Sequence, residues 1–340
     1  MRRSALLVVA VGLMSILART SAAQVETVAA FDASKAEFPE NLAIDGNTGD
    51  VYVSMLLIGQ VIRVTPDHQK IHYLMPPGTF LTGGLVFNDY SHRLYVALTG
   101  ATPANTGVWE VDPDGSVSLY SHVAGGMLNG MTSDKDGDLF VADSVTGFIW
   151  KAPAGGGEAS VWVDLHAPGM LMPPGPNGIK LSPRGDLYVS ITNQQKIVRI
   201  RMLPNGSAGP VTTVVQSSDL APDDLAFDVS GNLYVANNNY LTDPVPTSTI
   251  ERIHPDGTRD VLAGPADGLF FTTAVQFGKT PRSDRHTIYF TNGALSPVPA
   301  LMKLTVDNLG YPVASWCEAQ PTSAWRSNSD RTAVCEGQGD

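Results

Sequence analysis

The stretch Leu128–Ser144, LNGMTSDKDGDLFVADS, decides how this chain is read. Its second half is a reversal followed by a strand: Asp136-Gly137 supplies the turn, because Gly accepts positive φ, and Asp138–Asp143 is short and largely apolar. Its first half holds an Asn, Asn129, about nine residues ahead of that strand. Taken alone, Asn129 is a turn residue.

It is not alone. Five further segments share the pattern of a loop, an apolar pair, a turn rich in Asp, Gly or Asn, and a strand with an aromatic core. They are PENLAIDGNTGDVYVS from Pro39, TGGLVFNDYSHRLYVA from Thr82, PNGIKLSPRGDLYVSI from Pro176, PDDLAFDVSGNLYVAN from Pro222 and TTAVQFGKTPRSDRHTIYFT from Thr272. The equivalent positions are Glu40, Gly83, Asn129, Asn177, Asp223 and Thr273, at spacings of 43, 46, 48, 46 and 50 residues. Each unit continues into two more strand-like runs, as in GVWEVDPDGSVSLYSHV (107–123) and IERIHPDGTRDVLAG (250–264), where Pro-Asp-Gly marks a hairpin. Four short strands per unit is a β-propeller blade, so the chain is predicted to be all-β, a six-bladed β-propeller. The last unit lacks an outer strand after ALMKLTVDNLG (300–310), and QVETVAAF (24–31) is left over. That N-terminal strand is expected to complete the sixth blade, which removes a sheet edge.

The flanks carry their own signals. Arg2 and Arg3, the apolar run 5–17 and the small residues of TSAAQ (20–24) read as a signal peptide over 1–23. A secreted or periplasmic protein is expected, with the propeller over 24–310 and no membrane span in the mature chain. Cys317 and Cys335 both fall in the tail, 311–340. In an oxidising compartment they are expected to pair and tie the tail down; the alternative is two free thiols. The net charge of −11 argues against nucleic acid as a partner. A small-molecule substrate and a monomer are expected.

In a propeller, equivalent positions fall on one ring about the axis. Glu40, Asn129, Asn177 and Asp223 would therefore converge on the mouth of the axial channel, flanked by the small Gly83 and Thr273. Four oxygen-bearing side chains with no His or Cys suit a hard cation such as Ca²⁺, one per chain, rather than zinc or copper. The bland alternative, that Asn and Asp favour turns, holds for any one of them and weakens for four at a single offset. The Asp134–Asp138 run resembles the start of a calcium loop, but it lacks the closing Glu and reads as a turn. The histidines are scattered, and no G-x-S-x-G or P-loop is present.

PENLAID, LNGMTSD, PNGIKLS and PDDLAFD resemble the metal-binding segments of the senescence marker protein/gluconolactonase family, over roughly residues 25–310. The resemblance implies a catalytic Ca²⁺ held by Glu40, Asn129, Asn177 and Asp223, with Asp223 as base or nucleophile, and hydrolysis of a lactone or related ester. Two departures stand out. Gln276 occupies the place of a His that phosphotriesterase-like relatives carry, and Asp224 follows Asp223 where Gly is common. Adjacent strand residues point to opposite sides, so Asp223 is expected to be the ligand, in line with Asn177 and Asn129. The segments from Leu128 and Pro173 also resemble a fungal branch that includes hetero-Diels–Alderases, for which HAPGMLMPPGP (166–176) would supply apolar lining. A cyclase of that type and a non-catalytic binding propeller with structural calcium are the alternatives.

Overall fold

The computed structural model describes residues 24–166, 174–239, 247–279, 284–293 and 296–317. The expected signal peptide, Cys335 and most of the 166–176 loop lie outside these residues, so the cysteine pairing stays an expectation.

Six separate sheets, antiparallel except for a short Gly157–Glu158 strand that pairs parallel at the outer edge of the second, follow one another along the chain, and each is a blade of a six-bladed β-propeller. The innermost strands are Pro39–Ile44, Thr79–Asn88, Leu128–Ser133, Pro176–Leu181, Pro222–Asp228 and Thr272–Phe277. Each packs against the innermost strands of both neighbouring blades, the sixth against the first, so the ring closes. Four of them are buried at every position, whereas an outermost strand such as Lys70–Leu74 is mostly exposed. The sixth blade is built from both ends of the propeller body. Val25–Ala30 pairs antiparallel with Ala300–Thr305, from Val25↔Leu304 to Ala30↔Ala300.

The core lies between blades, because both faces of every blade meet a neighbour. One apolar cluster joins Tyr234 of blade 5 to Phe277 and Phe290 of blade 6, and the Tyr234 and Phe277 rings meet edge to face at 4.8 Å. Aromatic pairs of this kind add about 1 kcal/mol beyond their buried area.

All six innermost hairpins share one irregularity. The pairing register shifts between Pro39 and Leu42, Thr82 and Leu85, Leu128 and Met131, Pro176 and Ile179, Pro222 and Leu225, and Thr272 and Val275. This is a β-bulge, and it releases two adjacent residues from the ladder in each blade. The released positions are the ring residues and their successors. Three of the freed successor N–H groups find hydroxyls on the second strand: Asn41 N donates to Ser54 Oγ at 2.9 Å, Gly178 N to Ser190 Oγ at 2.7 Å and Ala274 N to Thr291 Oγ1 at 2.9 Å.

The chain does not leave the propeller at Gly310. Gly310–Tyr311 adds a short strand to the inner edge of blade 5, with Tyr311 opposite Phe227. Residues 312–317 then run under the ring to blades 2 and 3. Ser133 Oγ donates to Ala314 O at 2.6 Å, and Ser315 Oγ to Asp89 Oδ2 at 2.9 Å. Trp316 is 3 % exposed, and its ring lies 5.2 Å from that of Tyr95. Asp89 also takes the Gly46 N–H at 2.7 Å and the buried Lys279 ammonium at 3.1 Å. This strap lies across the lower end of the axis and lines a cavity of about 290 Å³ together with Thr132, Lys180, Ala226 and Gln276.

Asp143 is a second structural hub. Its carboxylate is fully buried and takes the N–H groups of Gly126, Met127, Val145 and Thr146 and the Trp150 indole. Burial pushes its pKa up, but the donors, led by Met127 and Gly126, outweigh it and hold it below 3.8.

Two outcomes are expected. Trp316→Ala should destabilise the protein by about 3 kcal/mol in denaturant unfolding, while Leu57→Ala, at an exposed site, should be near neutral. Asp143→Asn should cost about 2 kcal/mol at pH 7. Because its carboxyl is held below its unfolded value, that stabilisation is present above about pH 4 and lost as pH falls further, so the two proteins should converge in acid.

Candidate functional site

The bulges place Glu40, Asn129, Asn177 and Asp223 at the start of innermost strands 1, 3, 4 and 5, where they are 6 %, 4 %, 2 % and 5 % exposed. Blades meet closely there. A Cβ on Gly84 would lie 2.5 Å from Asn129 O, one on Gly130 2.4 Å from Asn177 O, and one on Gly178 2.5 Å from Asp223 O. Side chains at the successor positions of blades 2, 3 and 4 would therefore push the ring apart. Thr273, the sixth ring position, closes the circle by donating to Pro39 O at 3.1 Å.

Each ring residue in blades 3 to 5 has a partner fifteen residues on, at the end of the second strand. Asn129 Nδ2 donates to Ser144 Oγ at 3.2 Å, Asn177 Nδ2 to Thr192 Oγ1 at 3.2 Å, and Asn238 Nδ2 to Asp223 Oδ2 at 2.7 Å. Ser144 and Thr192 in turn donate to the next blade, to Pro176 O at 2.7 Å and Pro222 O at 2.6 Å. Ser190 Oγ donates to the Asp223 carbonyl. Both Asn amides thus spend their nitrogen on a hydroxyl, which leaves Oδ1 as the acceptor end of each. In blade 1 the corresponding place, one residue past the Met55 that pairs with Pro39, is Leu56, and its side chain offers no donor. Glu40 Oε2 is buried with no hydrogen-bond partner.

The electrostatics follow from this. Burial pushes the Glu40 carboxyl up to about 7, helped by the charge on Asp224. Burial, then the charges on Glu40 and Asp224, push Asp223 well above its ordinary value, and the amides of Asn238 and Asn177 offset only part of this. Two carboxyls face each other's charge in a desolvated place.

Asp224 is also buried, at 1 % exposure. The bulge interrupts regular strand pairing at Asp223 and Asp224, and the Asp224 charge acts on both Glu40 and Asp223. They differ in partners. Asp224 is paired with the Lys180 ammonium at 3.1 and 3.3 Å and takes the Val275 N–H at 3.3 Å. Asp223 has amide partners. Gln276 lies lower, on the wall of the cavity that the strap lines. Among the described residues no cluster of three or more His, Cys, Asp or Glu is arranged to hold a metal; the ring's donors are two carboxylates and two amides. Sequence reasoning missed Ser144, Thr192, Asn238 and Lys180. The shared offset of fifteen residues was the signal for the first three.

No protein-family model matches the chain, and no curated protein does. Solved structures of the same fold are numerous. A luciferin-regenerating enzyme superposes with a TM-score of 0.66 at 14 % identity, covering 86 % of this chain and 99 % of its own. A calcium-binding protein, regucalcin, from Agrobacterium tumefaciens gives 0.63 at 16 %, covering 83 % and 94 %. A gluconolactonase from Xanthomonas campestris gives 0.63 at 17 %, covering 83 % and 89 %. At these identities the likeness is one of fold, and it is the fold of the proteins whose segments the sequence motifs resemble.

Ser144→Ala and Thr192→Ala should each cost about 1–2 kcal/mol in chemical unfolding, because each leaves a buried carbonyl unpaired in the next blade. Ser217→Ala, whose hydroxyl is bonded at the exposed surface, should cost little.

Proposed function

We propose that this protein is a calcium-dependent hydrolase that opens a lactone or related ester at the upper mouth of the propeller axis. The observation that carries the reading is the pair Glu40 and Asp223. They are buried carboxylates whose charge is not balanced by an adjacent cation of their own, and one of their oxygens, Glu40 Oε2, has no partner. A buried carboxylate pair of this kind is costly unless a cation accompanies it. With the oxygen ends of Asn129 and Asn177 it forms an all-oxygen donor set, which fits a hard divalent cation. Glu40, Asn129, Asn177 and Asp223 would hold Ca²⁺, which when bound polarises the substrate carbonyl.

The chain's own residues do the rest. Ser144 and Thr192 fix the amides of Asn129 and Asn177. Ser190 and Asn238 hold Asp223 at its carbonyl and at Oδ2. Asp223 would take the proton from the attacking water, or attack the carbonyl itself. The strap lies beneath the ring, which favours approach of substrate from the upper mouth. The names of the regucalcin and gluconolactonase structures support calcium and lactone chemistry. The same reading has the protein exported, acting as a monomer on a small molecule.

Purified protein should retain about one Ca²⁺ per chain by elemental analysis, and chelation should abolish hydrolysis across a lactone panel. Asp223→Ala should remove activity. Asn129→Ala should weaken Ca²⁺ binding by at least about tenfold, whereas Asp136→Ala, in the exposed turn below, should not. Turnover indifferent to chelation would instead favour the cyclase, and calcium-dependent folding without turnover a binding propeller.

A further inference from the structure

Three carboxylates lie in electrostatic reach of one another at the axis: Glu40, Asp223 and Asp224. The function proposed above uses two. The third is forced on the site by the chain, because Asp224 follows Asp223 within the same bulge and both are buried. It is answered by Lys180. This lysine sits three residues past Asn177 on the neighbouring innermost strand, and its Nζ lies 3.1 and 3.3 Å from the two Asp224 oxygens. The side chains are 5 % and 2 % exposed. A lysine buried this deeply, reaching across a blade boundary to a carboxylate beside the ring, is a fixed part of the site's charge.

We propose that Lys180 is a specificity-determining residue that sets the net charge of the central site to −2, and so fits it to a divalent rather than a trivalent cation. The inference rests on the calcium reading above. With a cation bound the carboxylates are held ionised, and three of them with one ammonium leave two negative charges, which a divalent ion balances. Without the ammonium the site carries three. Field strength at the ring then rises, and a cation gains in proportion to its own charge. If Ca²⁺ gains about tenfold in affinity, La³⁺, with half as much charge again, gains about thirtyfold. A merely structural ion pair makes the opposite prediction, since its loss loosens the ring and weakens every cation alike.

The test is calorimetric titration of the full-length chelator-treated protein with Ca²⁺ and with La³⁺, for four proteins: wild type, Lys180→Met, Asp224→Asn and the double variant. Wild type that binds no Ca²⁺ overturns the calcium reading itself. Given wild-type binding, Lys180→Met should bind Ca²⁺ about tenfold more tightly and La³⁺ about thirtyfold more tightly. Asp224→Asn, which leaves the ammonium unanswered, should bind Ca²⁺ about tenfold more weakly. The double variant should return both affinities to near wild type. If Lys180→Met does not fold, Asp224→Asn and the double variant still decide the matter: La³⁺ weakened about thirtyfold against about tenfold for Ca²⁺ in the first, with the ratio restored in the second, supports the proposal. Unchanged ratios, or weakening in all three variants, overturn it and leave the calcium reading standing.

Discussion

Closure of the ring is the constraint on which everything else rests. A four-stranded blade has two apolar faces and two open edges, and by itself it can satisfy neither. Six blades in a circle bury every face against a neighbour, and the innermost strands meet their neighbours all the way round. The last blade is finished by Val25–Ala30, so the two ends of a body some 280 residues long are held in one sheet. The clasp at the axis is polar rather than apolar. Hydroxyls of Ser144, Thr192 and Thr273 each hold a carbonyl of the next blade.

The same closure makes the site. Blades that crowd to backbone contact at the top of the axis leave room for no side chain at Gly84, Gly130 and Gly178. What remains there is the set of residues that the bulges release. A bulge costs ladder hydrogen bonds, and the structure recovers some with Ser54, Ser190 and Thr291. In return, side chains that would lie between blades turn towards the axis. The upper end of the axis is thus a polar, desolvated place, and the lower end is crossed by the strap that runs from Gly310 to Trp316.

Much of this was legible because a repeat makes a weak signal strong. Asn129 by itself says little, but six units at one spacing give the blade count, and the shared offset gives the ring. Other features were not legible. The strap carries no strand periodicity: Tyr311 to Trp316 reads as an irregular tail, and what holds it is contact with Tyr95, Ser133 and Asp89, which are far away in sequence. The relationship of Asp223 to Asp224 was read from the alternation of a regular strand. The bulge interrupts the regular pairing there, and no residue in PDDLAFD announces it.

The sequence by itself determined the number of blades, the order in which they follow one another and the four oxygen-bearing side chains that share a ring position, because each of these is a matter of spacing along one chain. Only the tertiary structure decided which carboxylate carries a counter-charge. Lys180 and Asp224 are 44 residues apart and belong to different blades, so their pairing depends on how two neighbouring sheets are rotated about the axis. That rotation is set by packing between blade faces, and it leaves Glu40 and Asp223, rather than Asp224, as the pair with charge to spare.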